Sequence, residues 1–425
     1  MKVIIIGGGW AGCAAAISAK KAGAKVLLYE KTDMLIGLGN VGGIMRNNGR
    51  YTASEELINL GAGDLINITD KNTRHKNIEF PGHGHAWLYD VNKIEPEVRN
   101  HLINLGIELN FTSRVVDVEK IGNKIIGVYL SDGTYVKGDV FIEATGSTGP
   151  MGNCLRYGNG CSMCVLRCPA FGPRVSISAR AGAEDLQGER EEDVYGAFSG
   201  SCKLCKDSIA EDLLKEIEEK GGVVLKVPPE DINIDKLKLK VCQQYALREF
   251  AENIVLLDTG HIKLMTPFYP LDKLRKIMGL EKAKYIDPYA GGKGNSIRYL
   301  SVAQRTDDMR VKGLDNLLCA GEKSGLFVGH TEAMCTGSLA GHNAVRHLLG
   351  MPLLILPKAT AIGDLISYAN FQMETKEGRR KRYTFAGAEY FNRMKDLELY
   401  STNNEQIKNR IEKLNLANIM AERLV

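Results

Sequence analysis

The stretch Val3-Ile-Ile-Ile-Gly-Gly-Gly-Trp-Ala-Gly12 decides the fold that we expect for this chain. Its β-branched run predicts a strand that is buried on both faces, and the small residues of 12–22 predict a helix that ends at Gly23. A second apolar run, Val26 to Tyr29, predicts the next strand. The spacing G-x-G-x-x-G between a strand and a helix therefore indicates a dinucleotide-binding turn.

Each glycine of this turn has a physical task, and an acidic residue follows at the expected place. Gly7 permits the tight turn, Gly9 lets the backbone approach a pyrophosphate, and Gly12 lets helix and strand pack closely. The helix N-terminus stabilises the anion. Glu30, at the end of the second strand, is expected to accept hydrogen bonds from ribose hydroxyls.

Two later stretches favour FAD over NAD as the dinucleotide. Asp139-Val-Phe-Ile-Glu-Ala-Thr-Gly146 resembles the second signature of FAD-binding proteins, a strand that ends beneath the adenine half of the cofactor. Gly313-Leu-Asp-Asn-Leu-Leu-Cys-Ala-Gly-Glu322 resembles the third, whose terminal acid binds the ribityl chain. Either stretch alone is also compatible with an ordinary buried strand. Together they predict a flavin cofactor.

The next segment resembles a known family. Gly329-His-Thr-Glu-Ala-Met-Cys-Thr-Gly-Ser-Leu-Ala-Gly341 resembles the flavin-side helix of the GidA and TrmFO family of tRNA-modifying flavoproteins. Leu356-Pro-Lys-Ala-Thr-Ala-Ile-Gly363 is similar to the end of the FAD domain in the folate-dependent branch, and Asn40-Val-Gly-Gly43 to its glycine loop. The resemblance covers about half of the chain. The reactive cysteine that the family carries in this loop has no counterpart in Gly37-Leu-Gly-Asn40.

The resemblance implies a flavin site with many contributors. It places the backbone of Glu332 to Gly337 at the pyrimidine edge of the flavin, where a helix N-terminus stabilises negative charge. It also brings Cys335 near the flavin, and this thiol is the one catalytic candidate. The residues expected at the cofactor are Gly7, Gly9, Gly12, Glu30, Asn40, Gly43, Val116, Ala144, Thr145, Gly146, Gly321, Glu322, Glu332, Ala333 and Gly337.

Five cysteines form a candidate metal site. The run Cys161-x-x-Cys164-x-x-x-Cys168-Pro169 resembles part of a bacterial ferredoxin motif, and the pair Cys202-x-x-Cys205 follows it. These thiols suit a 4Fe-4S cluster, which would have the flavin as its electron partner. Two alternatives stay open: the two C-x-x-C pairs suit zinc equally well, and free cysteines are often plain core residues.

The predicted architecture is α/β, with a Rossmann-like FAD-binding domain of the glutathione-reductase type. This domain comprises residues 1–153 and 296–369, an α+β domain of residues 154–295 is inserted into it, and residues 370–425 form a helical tail. Within the FAD domain, residues 107–137 predict a small antiparallel insert. Within the inserted domain, residues 209–220 and 237–251 have helical spacing.

Net charge excludes few classes of protein, whereas the lack of a long apolar stretch excludes more of them. The 55 basic and 51 acidic residues give a net charge of +4, too small to indicate a nucleic-acid or membrane partner. No stretch reaches the roughly 18 apolar residues of a membrane span, so we expect a cytoplasmic protein. The basic run Arg379-Arg-Lys-Arg382 suits either an RNA backbone or, more simply, a solvated helix face. Gly82-His-Gly-His85 favours a loop over a metal pair.

Three functions follow from these observations. The first is an FAD-dependent oxidoreductase that exchanges electrons between FAD and a cysteine-ligated iron-sulfur cluster. The second is a folate- or NADH-linked flavoenzyme that modifies tRNA or rRNA. The third is a non-catalytic module that holds flavin and zinc within a larger complex. The expected substrate is thus a small molecule or RNA, and the expected electron donor is an electron-transfer protein or NAD(P)H. The sequence is also compatible with a homo-oligomer.

Overall fold

The computed structural model describes residues 1–146, 168–199, 202–265, 269–286 and 296–425. Its strands are β1 (Lys2–Ile6), β2 (Lys25–Tyr29), β3 (Ile44–Met45), β4 (Thr73–Phe80), β5 (His83–Tyr89), β6 (Glu108–Asn110), β7 (Val115–Ile121), β8 (Lys124–Leu130), β9 (Tyr135–Lys137), β10 (Val140–Glu143), β11 (Asp185–Gln187), β12 (Glu189–Glu191), β13 (Val194–Tyr195), β14 (Ala197–Ser199), β15 (Cys202–Leu204), β16 (Gly222–Lys226), β17 (Asn253–Asp258), β18 (Ile262–Leu264), β19 (Ser296–Arg298), β20 (Ser301–Ala303) and β21 (Leu317–Cys319). Its α-helices are α1 (Trp10–Lys21), α2 (Gly39–Gly42), α3 (Gly49–Asn59), α4 (Asp64–Lys71), α5 (Ile94–Asn104), α6 (Cys168–Phe171), α7 (Ile177–Arg180), α8 (Glu211–Lys220), α9 (Glu249–Glu252), α10 (Leu271–Leu274), α11 (His330–Leu348), α12 (Ala361–Met373), α13 (Lys376–Arg380), α14 (Ala388–Asp396) and α15 (Asn404–Lys413).

A five-stranded parallel sheet organises the molecule. Its strand order is β21-β10-β1-β2-β6, so the first strand of the chain lies in the middle. Val3, Ile4 and Ile5 of β1 are completely buried, as expected for a parallel sheet that is covered on both faces. The carboxyl ends of β1, β2, β10 and β21 meet at one edge. In open α/β sheets, ligands bind outside this edge.

Helices α1 and α11 pack face to face over this sheet through two glycines. A Cβ on Gly337 would overlap the carbonyl oxygen of Ala11, and one on Gly341 would overlap that of Ala15. Residues four apart lie on one face of a helix, so the two glycines act together. They bring the backbones of the two helices into contact, which places both N-termini at the ligand-binding edge.

The α/β fold of the glutathione-reductase type, with an α+β insert and a helical C-terminal region, is confirmed. Among the described residues, three antiparallel sheets of three or four strands accompany the parallel one, β3-β5-β4, β7-β8-β9 and β15-β18-β17-β16, and three further sheets have two strands each. The four-stranded sheet belongs to the predicted insert, together with α8. Strand β11, within the predicted insert, pairs with β20, which follows the insert in the chain.

Three local predictions were wrong. Residues 108–110 form β6, which pairs in parallel with β2 instead of joining an antiparallel insert. Residues 237–251 form short 3₁₀ turns before the four-residue α9, because the apolar residues pack against β5 and β17 rather than along one helix face. His83 begins β5 and is buried between aromatic rings, so Gly82–His85 is not simply a loop.

The C-terminal helices pack on the FAD-binding domain rather than projecting from it. Thr360 caps α12 by accepting a hydrogen bond from the backbone N–H of Gly363. The buried carboxylate of Glu56 on α3 accepts the N–H groups of Ala361 and Ile362 and also contacts Arg410 of α15. Among the described residues, every helix is too short or too polar to cross a membrane.

Candidate cofactor site

The glycine turn forms a cradle. Backbone atoms pack closely against Gly7 and Gly12, whereas the space in front of Gly9 holds no described atom. Gly7 has a φ of +103°, and a Cβ there would overlap the carbonyl oxygen of Ala144 on β10. A Cβ on Gly12 would overlap the carbonyl oxygen of Gly7. A Cβ on Gly9, in contrast, would meet no described atom within 4 Å. Gly9 therefore faces the space in which a ligand would approach the backbone.

The N-terminus of α1 opens into the same space. Gly9 is its N-cap residue, and no side chain caps the helix. The first N–H groups of a helix need an acceptor, and an uncapped N-terminus is a site for an anion. The turn therefore fits the pyrophosphate of a dinucleotide.

Glu30 lies at the end of β2, where the sequence predicts it. Its carboxylate accepts hydrogen bonds from the backbone N–H of Gly8 at 2.7 Å and from the N–H and hydroxyl of Thr32, both at 2.9 Å. The half-buried carboxylate thus braces the glycine turn at the carboxyl end of β2. The backbone N–H of Ser113, just before β7, donates to the carbonyl of Glu30. Val116 follows on β7, at an irregularity in its pairing with β8.

The loop after β2 folds back onto the glycine turn. Ile36 donates its N–H to the carbonyl of Gly8, and Gly37 approaches Gly9. The side-chain amide of Asn40 braces this loop by donating to the carbonyls of Leu35 and Gly37. Gly43 has a positive φ, and a Cβ there would overlap the Thr259 side chain of the insert. Asn40 and Gly43 therefore shape the loop, whichever ligand it contacts.

The ends of β10 and β21 deliver the remaining predicted residues to the same edge. Ala144 and Thr145 lie against Gly7, and Gly146 lies close to Arg174. Gly321 donates its N–H to the Thr336 hydroxyl of α11 and lies against Ala11 of α1. Glu322 follows on a 3₁₀ turn and is half-buried.

The N-terminus of α11 is the second uncapped helix end at this edge. Gly329 is its N-cap residue, and no side chain caps it. The hydroxyl of Thr331 is completely buried and finds no hydrogen-bond partner among the described residues. An unpartnered buried polar group indicates a missing ligand or water. Ala333 lies on this first turn, close to Gly321.

Glu332 does not face the open edge. Its carboxylate accepts hydrogen bonds from Arg50 at 3.2 Å, from the Thr384 hydroxyl at 2.7 Å and from the Phe385 N–H at 2.9 Å. Burial lowers the pKa of Arg50, but the carboxylate of Glu332 outweighs this effect and holds the pKa above its usual value. This buried ion pair ties α11 to α3 and to the C-terminal region, a role that sequence patterns did not indicate.

Cys335 lies on the side of α11 away from solvent. The thiol is 1% exposed, and burial, followed by the nearby carboxylates of Glu332 and Glu56, raises its pKa well above the usual value. A thiol that does not ionise is a poor nucleophile. The geometry therefore gives Cys335 a packing role in α11, and its proposed catalytic role gains no support from its environment.

The predicted metal site falls largely outside the described residues. Cys161 and Cys164 belong to the undescribed part, and of Cys168 only the backbone, at the start of α6, is described. Cys202 on β15 is buried, and Cys205 after it is half-buried. In the parts of the chain that the structure describes, no group of three or more candidate ligands surrounds a metal position. The iron-sulfur and zinc hypotheses both stay predictions.

Two residues of the basic run in the C-terminal region form ion pairs within the molecule. Arg380 pairs with Glu189, and Lys381 pairs with Glu377 and Glu389. Arg382 is only 3% exposed. The prediction of a solvated helix face is thus wrong for Arg382, and the run does not form an exposed patch for RNA.

The fold and the cradle define the class of protein. A central parallel sheet, a glycine turn with an open Gly9, an acid at the end of β2 and a second uncapped helix after β21 form the nucleotide site of a glutathione-reductase-type flavoprotein. A family model described as glucose inhibited division protein A (GidA) matches residues 2–246 and 260–352. The chain belongs to the GidA family, which confirms its predicted relationship to the GidA and TrmFO flavoproteins.

Two curated relatives show low identity or short alignments. Over 413 residues the chain is 24% identical to the tRNA uridine 5-carboxymethylaminomethyl modification enzyme MnmG of Alkaliphilus metalliredigens, an alignment that covers 86% of this chain and 64% of that protein. Over 103 residues it is 35% identical to the methylenetetrahydrofolate--tRNA-(uracil-5-)-methyltransferase TrmFO of Dinoroseobacter shibae, covering 24% of this chain and 22% of that protein. The chain thus spans less than two thirds of the length of these curated relatives.

Two solved structures have a similar fold. GidA of Aquifex aeolicus in its form II crystal superposes with a TM-score of 0.62 at 17% identity, over 97% of this chain and 76% of that one. CtdE in complex with FAD gives a TM-score of 0.50 at 13% identity and covers 99% of both chains. At these identities the likeness concerns the fold alone.

Proposed function

We propose that this chain binds FAD at the carboxyl edge of its parallel sheet and acts as an FAD-dependent oxidoreductase. The observation that carries the proposal is the cradle at Gly9, which has open space in front of it and two uncapped helix N-termini beside it. Membership of the GidA family supports the same cofactor. When bound, FAD supplies the electron-transfer chemistry, and the protein supplies binding, orientation and electrostatics.

Each part of the cradle has a task in this proposal. The N–H groups at the start of α1 hold the pyrophosphate, and the carboxylate of Glu30 accepts the ribose hydroxyls. The N-terminus of α11 faces the pyrimidine edge of the flavin, where it stabilises negative charge. The buried Thr331 hydroxyl donates a hydrogen bond into the same region. Glu322 contacts the ribityl chain from the turn after β21.

For the substrate we propose a uridine of tRNA, modified in a folate- or NADH-linked reaction. The support comes from relatives, since both MnmG and TrmFO are tRNA-modifying enzymes by name. The structure contributes a constraint, because the basic run at 379–382 is used internally. An RNA would therefore have to bind elsewhere. Electron exchange between FAD and a cluster held by Cys161, Cys164, Cys168, Cys202 and Cys205 is a separate and narrower proposal.

The cofactor proposal is tested on the purified protein. We expect flavin absorption bands, release of FAD on denaturation, and weaker binding of FAD by the Gly9→Ala variant with the fold retained. A correctly folded protein that neither retains nor rebinds FAD would refute the proposal. Anaerobic spectra with iron, zinc and sulfide analysis decide the cluster: iron and sulfide that disappear in Cys164→Ala support it, whereas zinc without sulfide favours the structural alternative.

The substrate proposal needs a separate experiment. Unmodified tRNA transcripts are incubated with the FAD-loaded protein and methylenetetrahydrofolate or NADH, and the nucleosides are analysed by mass spectrometry. We expect a uridine with an added mass. Intact flavin reduction without any change in the nucleosides would place the substrate outside tRNA while leaving the cofactor proposal in place.

A further inference from the structure

The inserted domain contacts the FAD-binding domain at the loop after β2 and again at β5. In the loop, Lys203 and Lys263 of the insert donate hydrogen bonds to the carbonyls of Asn40 and Val41, at 3.0 Å and 2.7 Å. On β5, the insert meets His83. This second contact belongs to a buried chain of hydrogen bonds that runs from the first turn of α11 to the insert.

The chain begins with the guanidinium group of Arg50, which holds the N-terminus of α11 from both sides. Its Nη2 atom donates to the carbonyl of Val328 at 2.9 Å, and its Nε atom donates to the carboxylate of Glu332 at 3.2 Å. Val328 directly precedes the N-cap Gly329, and Glu332 follows it in the first turn. A Cβ on Gly329 would overlap the side chains of both Arg50 and Glu332. The absence of a side chain at the N-cap therefore allows this close approach.

The side chain of Asn47 orients the guanidinium group. The Nη1 atom of Arg50 donates to Oδ1 of Asn47 at 3.1 Å. Arginine has donors and no acceptor, so the oxygen of the amide must face Arg50 and the NH2 group must face away from it. The Nδ2 atom of Asn47 lies 3.0 Å from Nδ1 of His83. Asn47 therefore links the position of the imidazole ring to that of the guanidinium group.

This arrangement defines the tautomer of His83. Because Asn47 donates to Nδ1, the proton of the neutral ring lies on Nε2, which donates to the carbonyl of Gln244 at 2.9 Å. Burial lowers the pKa of His83 to about 3, so the ring stays neutral with one donor and one acceptor. Every bond of the chain thus has the same direction: Arg50 donates to Asn47, Asn47 to His83, and His83 to the insert. Hydrogen bonds in such a series polarise one another.

The surroundings of His83 make each of these bonds costly to lose. The ring stacks on Phe80 with 4.8 Å between the ring centroids and packs against Tyr245 of the insert at 4.7 Å. His83 is 4% exposed, and Gln244 is 3% exposed. A buried polar group that loses its partner keeps its full desolvation penalty. The chain is therefore a fixed connection between the insert and the flavin-side helix.

We propose that His83 is a positioning residue for the flavin: through Asn47 and Arg50 it holds the N-terminus of α11 at the pyrimidine edge, and it fastens the inserted domain to the same helix end. This inference rests on the proposed function, which assigns the flavin to that end of α11. The stabilisation of an anion by a helix falls off within the first turn. A small displacement of this turn therefore weakens the stabilisation of the negative charge on the reduced cofactor.

The test compares the FAD-containing wild type with His83→Phe, which retains an aromatic ring beside Phe80 but removes both hydrogen bonds. We expect the equilibrium between reduced and oxidised flavin, measured against a reference dye, to shift about two- to fivefold toward the oxidised form. We also expect faster hydrogen-deuterium exchange in the peptide of residues 326–334. His83→Asn offers an amide oxygen to Asn47 in place of Nδ1, so both measurements should return most of the way to the wild-type values.

The control is His347→Phe, which replaces a half-buried histidine at the other end of α11 and should leave both measurements unchanged. A wild-type flavin equilibrium in His83→Phe would overturn the proposal. Faster exchange without a change in that equilibrium would overturn it as well, because His83 would then support α11 without positioning it for the flavin. The exchange measurement needs no cofactor. Faster exchange in a chain that binds no FAD would support the link from His83 to α11 and refute the proposed function alone.

Discussion

Replacing Gly9 by alanine separates cofactor binding from folding. The backbone of Gly9 has a φ of −68° and a ψ of −178°, which alanine adopts without strain, and the new Cβ would meet no described atom within 4 Å. Where the native backbone suits alanine, a Gly→Ala change stabilises a protein by about 0.4–1 kcal/mol through the unfolded chain. The protein without cofactor should therefore be unchanged or slightly more stable.

The same methyl group would occupy the space of the ligand. It holds a pyrophosphate away from the first N–H groups of α1, and the loss of one hydrogen bond to a charged group costs about 1.5–3 kcal/mol. The affinity for FAD should fall about ten- to hundredfold. Fluorescence titration of the apoprotein measures this affinity, and urea unfolding of the same sample measures stability.

Gly12→Ala is the matched comparison within the same turn. Its Cβ would overlap the carbonyl oxygen of Gly7, so α1 and β1 would have to separate. We expect a loss of about 1–3 kcal/mol in the free energy of unfolding, as for overpacking in a core. If Gly9→Ala destabilised the apoprotein as much as Gly12→Ala, or bound FAD as tightly as wild type, the assignment of Gly9 to the ligand would be wrong.

Three further predictions concern α11. Glu332→Gln leaves the Arg50 charge buried without its carboxylate and should cost about 3–5 kcal/mol of stability in urea unfolding, and a loss below 1 kcal/mol would contradict the ion pair. Gly341→Ala should destabilise by about 1–3 kcal/mol because its Cβ meets the α1 backbone, whereas Gly84→Ala, with open space around it, should not destabilise by such overlap. The Cys335 thiol should resist alkylation in the native protein and react only after unfolding, as followed by mass spectrometry, and rapid native alkylation would restore it as a catalytic candidate.

The sequence predicted the turn before α1 because two of its glycines answer local steric demands. A Cβ on Gly7 or Gly12 would collide with a backbone carbonyl oxygen, and these demands appear as the spacing of glycines within one short motif. Glu30 could be placed because it ends a strand whose direction the motif defines. These are relations between residues close in the chain or in register on one sheet.

Relations between distant segments were not predictable in the same way. Gly337 was expected at the flavin, yet it contacts α1, which only the packing of two helices more than 300 residues apart reveals. The basic run ending at Arg382 looked exposed because the sequence does not show that Glu189, which is far away in the chain, pairs with Arg380. Lys263 of β18 is buried by strand pairing within the insert, and nothing in its local sequence indicates that burial.

The lysine contacts to Asn40 and Val41 have a consequence for engineering. The loop beside the glycine turn belongs to the FAD-binding domain by sequence. Lys203 of β15 and Lys263 of β18, both in the insert, donate hydrogen bonds to its carbonyls at Asn40 and Val41. Excising the insert to obtain a minimal flavin carrier would therefore release that loop as well. A transplant that exchanges inserts between members of the family should carry the loop and the two lysines as one unit.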